Sequence, residues 1–324
     1  MNLSTFSSRN ELKTCIAVIV LLLTVELFLH SRQNLLSKDL EHLASMPAIA
    51  ESFRESNVGK VLFLGNSLTR AGVDLDVVAE HFSGGRFKDV KWKSAYPDDT
   101  TLRDWYYLYK NAFYRAGRTP DVLVLGFVRD QISDLAQVHP DGIAGSMGGL
   151  RNVPEIFQDD ITEQSARIEY TLASVSMLFA NRDRIRTRVA DALIPRYRET
   201  AQYFNRSVQS QVQSKTVYAP QTFRHLIRLA ELCRSSDTLL VVVGMPVPEP
   251  YAVDPNLPKI LGQAGGVSID LQRIEGMQPE DFLDGYHLNP HGAVLYSQML
   301  AETLEAQPAV QSALAKHRTF TTSR

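Results

Sequence analysis

Short apolar runs separated by amphipathic stretches dominate the pattern along the chain. Lys60–Gly65 (KVLFLG), Asp121–Phe127 (DVLVLGF) and Thr238–Met245 (TLLVVVGM) are nearly uninterrupted aliphatic segments. Such runs suit strands covered on both faces, as in a parallel sheet. Asp89–Ala95 is weaker and alternates, and Val267–Leu271 is a shorter fifth candidate. Helical periodicity fills the intervals at Leu75–Phe82, Thr101–Ala116, Gln221–Arg234 and Ala293–Leu304, the third with Phe223, Leu226, Ile227 and Ala230 on one face. Alternating strands and helices of these lengths predict a three-layer αβα sandwich around a central parallel sheet.

The N-terminus carries a different pattern. Cys15–Leu29 reads CIAVIVLLLTVELFL, with Arg9 and Lys13 ahead of it and Glu26 near its end. We read residues 1–30 as an uncleaved signal anchor, a single-pass helix whose positive flank keeps the N-terminus cytoplasmic and exports the rest. A cleaved signal peptide and a buried core helix are the alternatives. The small-residue sites Ala44-Ser45-Met46 and Ala48-Ile49-Ala50 lie far downstream of the run, against cleavage. The run is short for a span, and Glu26 is placed where it can reach the interface.

Residues 31–57 then read as a polar, partly helical stalk, 58–310 as the folded domain and 311–324 as a flexible tail. Residues 140–220 interrupt the alternation. They open with DGIAGSMGGL, expected as a mobile loop. A helical region with Arg182, Arg184, Arg186, Arg188, Arg196 and Arg198 follows. Pairing with Asp183, Asp191 and Glu199 on a solvated face accounts for these charges; a lid, or a surface docking a membrane or an anionic glycan, is the sharper alternative.

Composition narrows the function. The 324 residues carry a formal net charge of −2, which argues against a nucleic-acid partner. The two cysteines, Cys15 and Cys233, fall in the apolar run and a predicted helix, so no disulfide is expected; no Cys/His spacing suggests zinc and no cofactor is expected.

Two segments carry chemistry. Gly65-Asn66-Ser67-Leu68-Thr69 follows the first predicted strand and precedes a helix, so Ser67 stands at the carboxyl edge of the sheet, where ligands bind. A serine that merely caps the next helix would look the same in isolation. Asp284-Gly285-Tyr286-His287-Leu288-Asn289-Pro290 precedes the last helix. A serine hydroxyl needs a base, and that base needs a carboxylate to fix its tautomer; Asp284 and His287, three apart on one loop, are of the required types. A metal site built from His287, His291 and Asp281 or Asp284 is a weaker option, because Pro290 interrupts the helix that would align the histidines.

Together these blocks resemble the SGNH (GDSL-type) hydrolase superfamily, with a Gly-x-Ser-Leu block near the start and an Asp-x-x-His block near the end. The resemblance implies a flavodoxin-like sheet of order 2-1-3-4-5, Ser67 as nucleophile, His287 as general base then acid, and Asp284 as its orienting carboxylate. It also implies oxyanion donors at the Ser67 N–H and at a backbone N–H after the second strand, at Ala95 or its neighbour. The third donor, an asparagine, is replaced by Val128 in Gly126-Phe127-Val128-Arg129-Asp130, with Arg129 or a rearranged N–H as substitutes. Asn66 stands where the family has aspartate and, with Ala95 and Arg129, is a candidate oxyanion or substrate-binding residue. These departures resemble the branch that includes membrane-anchored extracytoplasmic O-acetyltransferases and esterases. The implied activity is acyl-ester hydrolysis or O-acyl transfer on an exported or cell-surface glycan, with a polytopic membrane acyltransferase as a possible partner. A catalytically silent binding or scaffold component of an envelope polysaccharide complex is the alternative.

Overall fold

The aliphatic runs form the five strands of one parallel sheet in the computed structural model, which describes residues 8–32, 37–55, 57–84, 87, 89–136, 142–197, 200 and 222–316. They are β1 (Gly59–Leu64), β2 (Val90–Ala95), β3 (Val122–Phe127), β4 (Leu239–Gly244) and β5 (Val267–Asp270). Their order is β2-β1-β3-β4-β5, all pairs parallel. The alternating character of β2 reflects its edge position. It is half-buried until Ala95, with Trp92 stacked 6.1 Å from Phe63.

Side chains along a strand alternate between faces, and each face has its own core. Val61, Phe63, Val122, Val124, Val241 and Val243 pack with Val78 and Phe82 of helix Leu75–Ser83 and with Tyr296, Leu300 and Leu304 of helix Pro290–Ala306. Leu62, Leu64, Leu123, Leu125, Leu240 and Val242, all fully or nearly fully buried, point the other way. Helix Arg224–Ser235 contacts β4 and helix Leu102–Leu108. The fold is therefore an α/β sandwich of three layers. Between β1 and β3 the strand order reverses, which opens a crevice at the carboxyl edge.

Several elements differ from expectation. The predicted helix over 101–116 is α-helical only at Leu102–Leu108 and widens into a π-helix over Tyr109–Tyr114. In helix Arg224–Ser235 the apolar Ile227 is exposed, while His225, Leu229 and Cys233 are buried. Residues 311–315, read as tail, belong to helix Pro308–Ala315, which buries Val310, Ala313 and Leu314 against the sheet; 317–324 lie outside the described residues. In the stalk, helices Lys38–Ala44 and Met46–Glu51 and a turn at Ser52–Arg54 bury Leu40, Met46, Ala50 and Phe53. The His42 ring Nε2 accepts the Tyr96 N–H at 2.9 Å.

The chain divides into two units, His42–His139 with Ala219–Arg324, which holds the sheet, and Met1–Glu41 with Pro140–Tyr218. In the second unit, helix Ser8–Ser31 contains a 21-residue segment, Glu11–Ser31, long and apolar enough to cross a membrane. From Glu11 to His30 its side chains are exposed, except half-buried Val25 and Glu26 and buried Leu29. The glycine-rich stretch expected as a loop forms a π-helix over Ile143–Gly148 instead. Buried Ile143 and Ala144 supply apolar anchors within it, and the Tyr170 hydroxyl donates to the Gly149 carbonyl at 2.8 Å. Helices Val153–Asp159, Gln164–Val175, Met177–Ala180 and Arg182–Leu193 follow; Arg198, Glu199 and residues 201–220 of the predicted insertion lie outside the described residues.

The arginines are paired more widely than their own helix suggests. Arg186 meets Asp183 at 3.0 Å, Arg184 meets Asp39 at 3.2 Å, and Arg182 pairs with Glu169. Glu26 accepts hydrogen bonds from the Met177 N–H (2.8 Å), the Leu178 N–H (3.2 Å) and the Ser176 hydroxyl. The one carboxylate of the apolar run thus satisfies orphan donors at the start of helix Met177–Ala180.

Candidate active site

Ser67 is the first residue of a short helix, Ser67–Gly72, that leaves β1 through Gly65 and Asn66. The turn is tight. A Cβ on Gly65 would lie 2.0 Å from Thr69 Oγ1 and 2.5 Å from Thr69 Cβ, and one on Gly126 would lie 2.8 Å from both Thr69 Oγ1 and Met245 Sδ. Glycine at these positions lets Thr69 sit over the strand ends. Asn66, 4% exposed, caps the helix by accepting the Leu68 N–H at 3.0 Å, and its amide donates to the Thr100 carbonyl at 3.0 Å. The buried Trp105 indole N–H lies 3.1 Å from the Gly65 carbonyl and 2.9 Å from Thr100 Oγ1. Asn66 and Trp105 therefore tie the serine turn to the loop after β2.

The second half of the site comes from the loop before helix Pro290–Ala306. Phe282 and Leu288 form an isolated antiparallel bridge, and the Leu283 N–H donates to the His287 carbonyl at 2.8 Å. This closes a small hairpin whose tip carries Asp284 and Gly285, the latter at φ +82°. Asp284 Oδ1 accepts the N–H groups of Tyr286 (3.1 Å) and His287 (2.9 Å), while Oδ2 lies 2.8 Å from His287 Nδ1. His287 Nε2 lies 3.0 Å from Ser67 Oγ. Burial opposes ionisation of Asp284, but the hydrogen bonds from the His287 N–H and ring and the Tyr286 N–H outweigh it and hold the carboxyl below its ordinary value.

Ser67, His287 and Asp284, drawn from opposite ends of the chain, thus form a continuous hydrogen-bonded series. The geometry suits proton removal from the hydroxyl by an imidazole whose other nitrogen is held by a carboxylate. His287 and Asp284 keep about a third of their side-chain surface exposed (33% and 38%), so water reaches them.

The remaining expected site residues have other surroundings. Ala95 is fully buried at the end of β2, its carbonyl accepting the Gly65 N–H at 3.2 Å. The neighbouring Tyr96 N–H is taken by His42. Asn66 is directed into the turn it caps. Val128 is 5% exposed in the apolar core, and its N–H donates to Gln131 Oε1 at 2.9 Å. Arg129 is half-buried with a left-handed backbone at φ +56°, and its guanidinium lies 5.9 Å from the centre of the Tyr286 ring, beside the Asp284–His287 loop. Asp99, in the loop after β2, has φ +54°. Such strain in non-glycine residues concentrates at functional sites.

His291 lies 2.7 Å from Asp281 and is separate from His287 in its bonding. Among the described residues no group of three His, Cys, Asp or Glu side chains is arranged to hold a metal ion.

Sequence reasoning missed three supports. Trp105 and His42 act through backbone groups, which leave no motif. Tyr251, in a proline-rich loop, donates its hydroxyl toward the Phe127 and Met245 carbonyls, both at 3.0 Å, bracing the ends of β3 and β4. No known family model matches the chain, and no curated protein sequence matches it.

Proposed function

We propose that this protein is a membrane-anchored serine acyl-transfer enzyme, an esterase or O-acyltransferase acting on O-acyl groups of an exported glycan. The observation that carries the reading is the Ser67–His287–Asp284 series, with contacts of 3.0 and 2.8 Å. Ser67 Oγ attacks the ester carbonyl while His287 Nε2 takes its proton. The tetrahedral adduct collapses, the imidazolium returns the proton to the departing alkoxide, and the acyl group remains on Ser67. Water or a sugar hydroxyl then attacks the acyl-serine through the same base, regenerating Ser67. Asp284, fixed at both oxygens, stabilises the imidazolium and keeps Nε2 facing the serine.

As the first helical residue, Ser67 presents an N–H that no preceding helical carbonyl accepts, which suits an oxyanion donor. Val128 supplies neither a side-chain donor nor a spare N–H. We assign charge stabilisation to Arg129, placed beside the histidine loop through Tyr286. The exposure of His287 favours hydrolysis in the uncovered site; transfer requires an acceptor that displaces water. The resemblance to SGNH enzymes supports the glycan-ester substrate class. The contact of Glu26 with residues 176–178 supports retention of the N-terminal helix, since cleavage would remove their acceptor. A polytopic membrane acyltransferase is a reasonable donor of acyl groups to such an anchored domain.

Val128 also favours a second reading, a catalytically silent binding component of an envelope polysaccharide complex. One experiment separates them. The full chain should react with a fluorophosphonate probe at Ser67 and release p-nitrophenol from p-nitrophenyl acetate, and Ser67→Ala should do neither. A wild-type protein that is folded yet unlabelled supports the silent reading; equal labelling of Ser67→Ala removes the serine assignment.

A further inference from the structure

Within the unit that holds the N-terminal helix, two apolar stripes are exposed among the described residues. On helix Gln164–Val175 they are Ile168 (54% exposed), Leu172 (43%) and Val175 (63%), spaced four and three residues apart on one face. On helix Arg182–Leu193, Val189 and Leu193 (50% and 75%) continue the line of Ile185, followed by exposed Ile194. Between the latter helix and Met177–Ala180 runs an open groove of about 590 Å³ lined by Leu178, Phe179, Ile185 and Val189, with Arg182 and Arg186 at its edge.

Two further features say what covers them. The first is attachment. Ser176, Met177 and Leu178, which join the two stripes, bind Glu26. Glu26 lies five residues before the end of helix Ser8–Ser31, or about 8 Å along its axis at 1.5 Å per residue. Helices lying in a membrane interface bury their apolar face by a similar depth, about 5–10 Å. The second feature is charge. Residues 176–197 hold five arginines against two aspartates, and with Glu169 and Asp39, the partners of Arg182 and Arg184, the formal net is +1. Arg186 and Arg188 are exposed beside the apolar line. An apolar stripe bordered by arginines is the composition of a helix that lies on anionic lipid.

We propose that helices Gln164–Val175 and Arg182–Leu193 lie in the surface of the membrane crossed by helix Ser8–Ser31, seating an anionic phospholipid in the groove beside Arg186. The inference rests on the anchor reading above. Glu26 then sets the depth: by holding residues 176–178 below the end of the span, it holds both stripes at the boundary between acyl chains and headgroups. Arg186 and Arg188 meet the phosphates, and Val175, Val189 and Leu193 enter the acyl region.

The test uses the full chain in nanodiscs with a fixed half of brominated phosphatidylcholine, the other half being unbrominated phosphatidylcholine or phosphatidylglycerol. Val175→Trp and Val189→Trp report on the stripes, Val20→Trp reports on the span, and wild-type emission from Trp92 and Trp105 is the blank. All three added tryptophans should lose emission. The loss at Val189→Trp should deepen with phosphatidylglycerol and shrink when Arg186→Glu and Arg188→Glu are added. Quenching at Val20→Trp alone overturns the docking and leaves the anchor standing. No quenching at Val20→Trp removes the anchor reading and this inference with it. Quenching of the stripes that ignores both phosphatidylglycerol and charge reversal overturns the anionic-lipid assignment. In unsubstituted protein, amide exchange over residues 182–193 should slow on introducing phosphatidylglycerol, and an unchanged rate counts against the proposal independently of any variant's folding.

Discussion

His287 Nε2 and Ser67 Oγ stand 3.0 Å apart across 220 residues of sequence, and the orientation of that nitrogen depends on Asp284 at the other side of the ring. Asp284→Asn keeps the size of the side chain but offers His287 an amide, which favours the wrong tautomer. On the proposed mechanism, turnover of p-nitrophenyl acetate should fall by about 10⁴-fold, as for the analogous change in a serine protease triad. Folding should be retained, checked by thermal melting. Unchanged turnover would remove Asp284 from the mechanism.

Trp105→Phe deletes an N–H that reaches both Gly65 and Thr100 while keeping an aromatic ring in the core. We expect a loss of about 1–3 kcal/mol in stability, measured by denaturant titration. Because the bond restrains the carbonyl two residues before the nucleophile, kcat should fall with little change in KM. A stability loss with unaltered kcat would make Trp105 structural only.

The two glycines packed on Thr69 predict unequal responses to a second mutation. Gly65→Ala and Gly126→Ala should each destabilise the fold by about 1–3 kcal/mol through overpacking. Thr69→Ala should relieve Gly126→Ala in part, because two of its three nearest atoms are Thr69 Oγ1 and Cγ2. It should leave most of the cost of Gly65→Ala in place: the 2.0 Å contact with Thr69 Oγ1 goes, but the new Cβ would still meet Thr69 Cβ at 2.5 Å. A double-mutant cycle checks both.

Asp134, half-buried, and His225, fully buried, form a second carboxylate–imidazole pair 2.5 Å apart. Burial raises the Asp134 pKa, but hydrogen bonds from the His225 ring and from the N–H groups of Arg224 and His225 outweigh it and hold the carboxyl far below its ordinary value. A depressed folded pKa gives stability that is present above the unfolded value, near 3.9, and is lost as pH falls through the folded value. Stability should therefore decline steadily below about pH 4. Asp134→Asn should cost about 3 kcal/mol at neutral pH and flatten that acid limb in urea titrations. An acid limb of unaltered slope would exclude Asp134 as its source.

The fold was legible because a strand buried on both faces needs an almost unbroken aliphatic run, and β1, β3 and β4 supply one each. The order of those strands was an expectation from the resemblance alone, because right-handed crossovers set the hand of each connection but not the order, and β3 and β4 are separated by more than a hundred residues. Ser67 and Asp284–His287 were legible because their residue types and places along the chain are unusual together. Other supports were hidden. Asn66 read as a possible oxyanion residue, yet its amide is consumed by Leu68 and Thr100, a bonding pattern set by a loop 34 residues away. Ile143 and Ala144 were masked by the glycines around them, so a π-helix looked like a loop. The pairing of Asp134 with His225 spans 91 residues and has no local signature.

The bond between Glu26 and residues 176–178 also bears on the order in which the protein is made. Its donors are synthesised some 150 residues after the carboxylate, or roughly 8 to 30 s later at ordinary elongation rates of about 5–20 residues per second. During that interval the apolar run Cys15–Leu29 must be handled with Glu26, its one carboxylate, uncapped. On the proposed anchor reading, release of the helix into lipid and completion of the helical insertion are coupled in time, and a chain truncated before Ser176 would leave Glu26 without these donors.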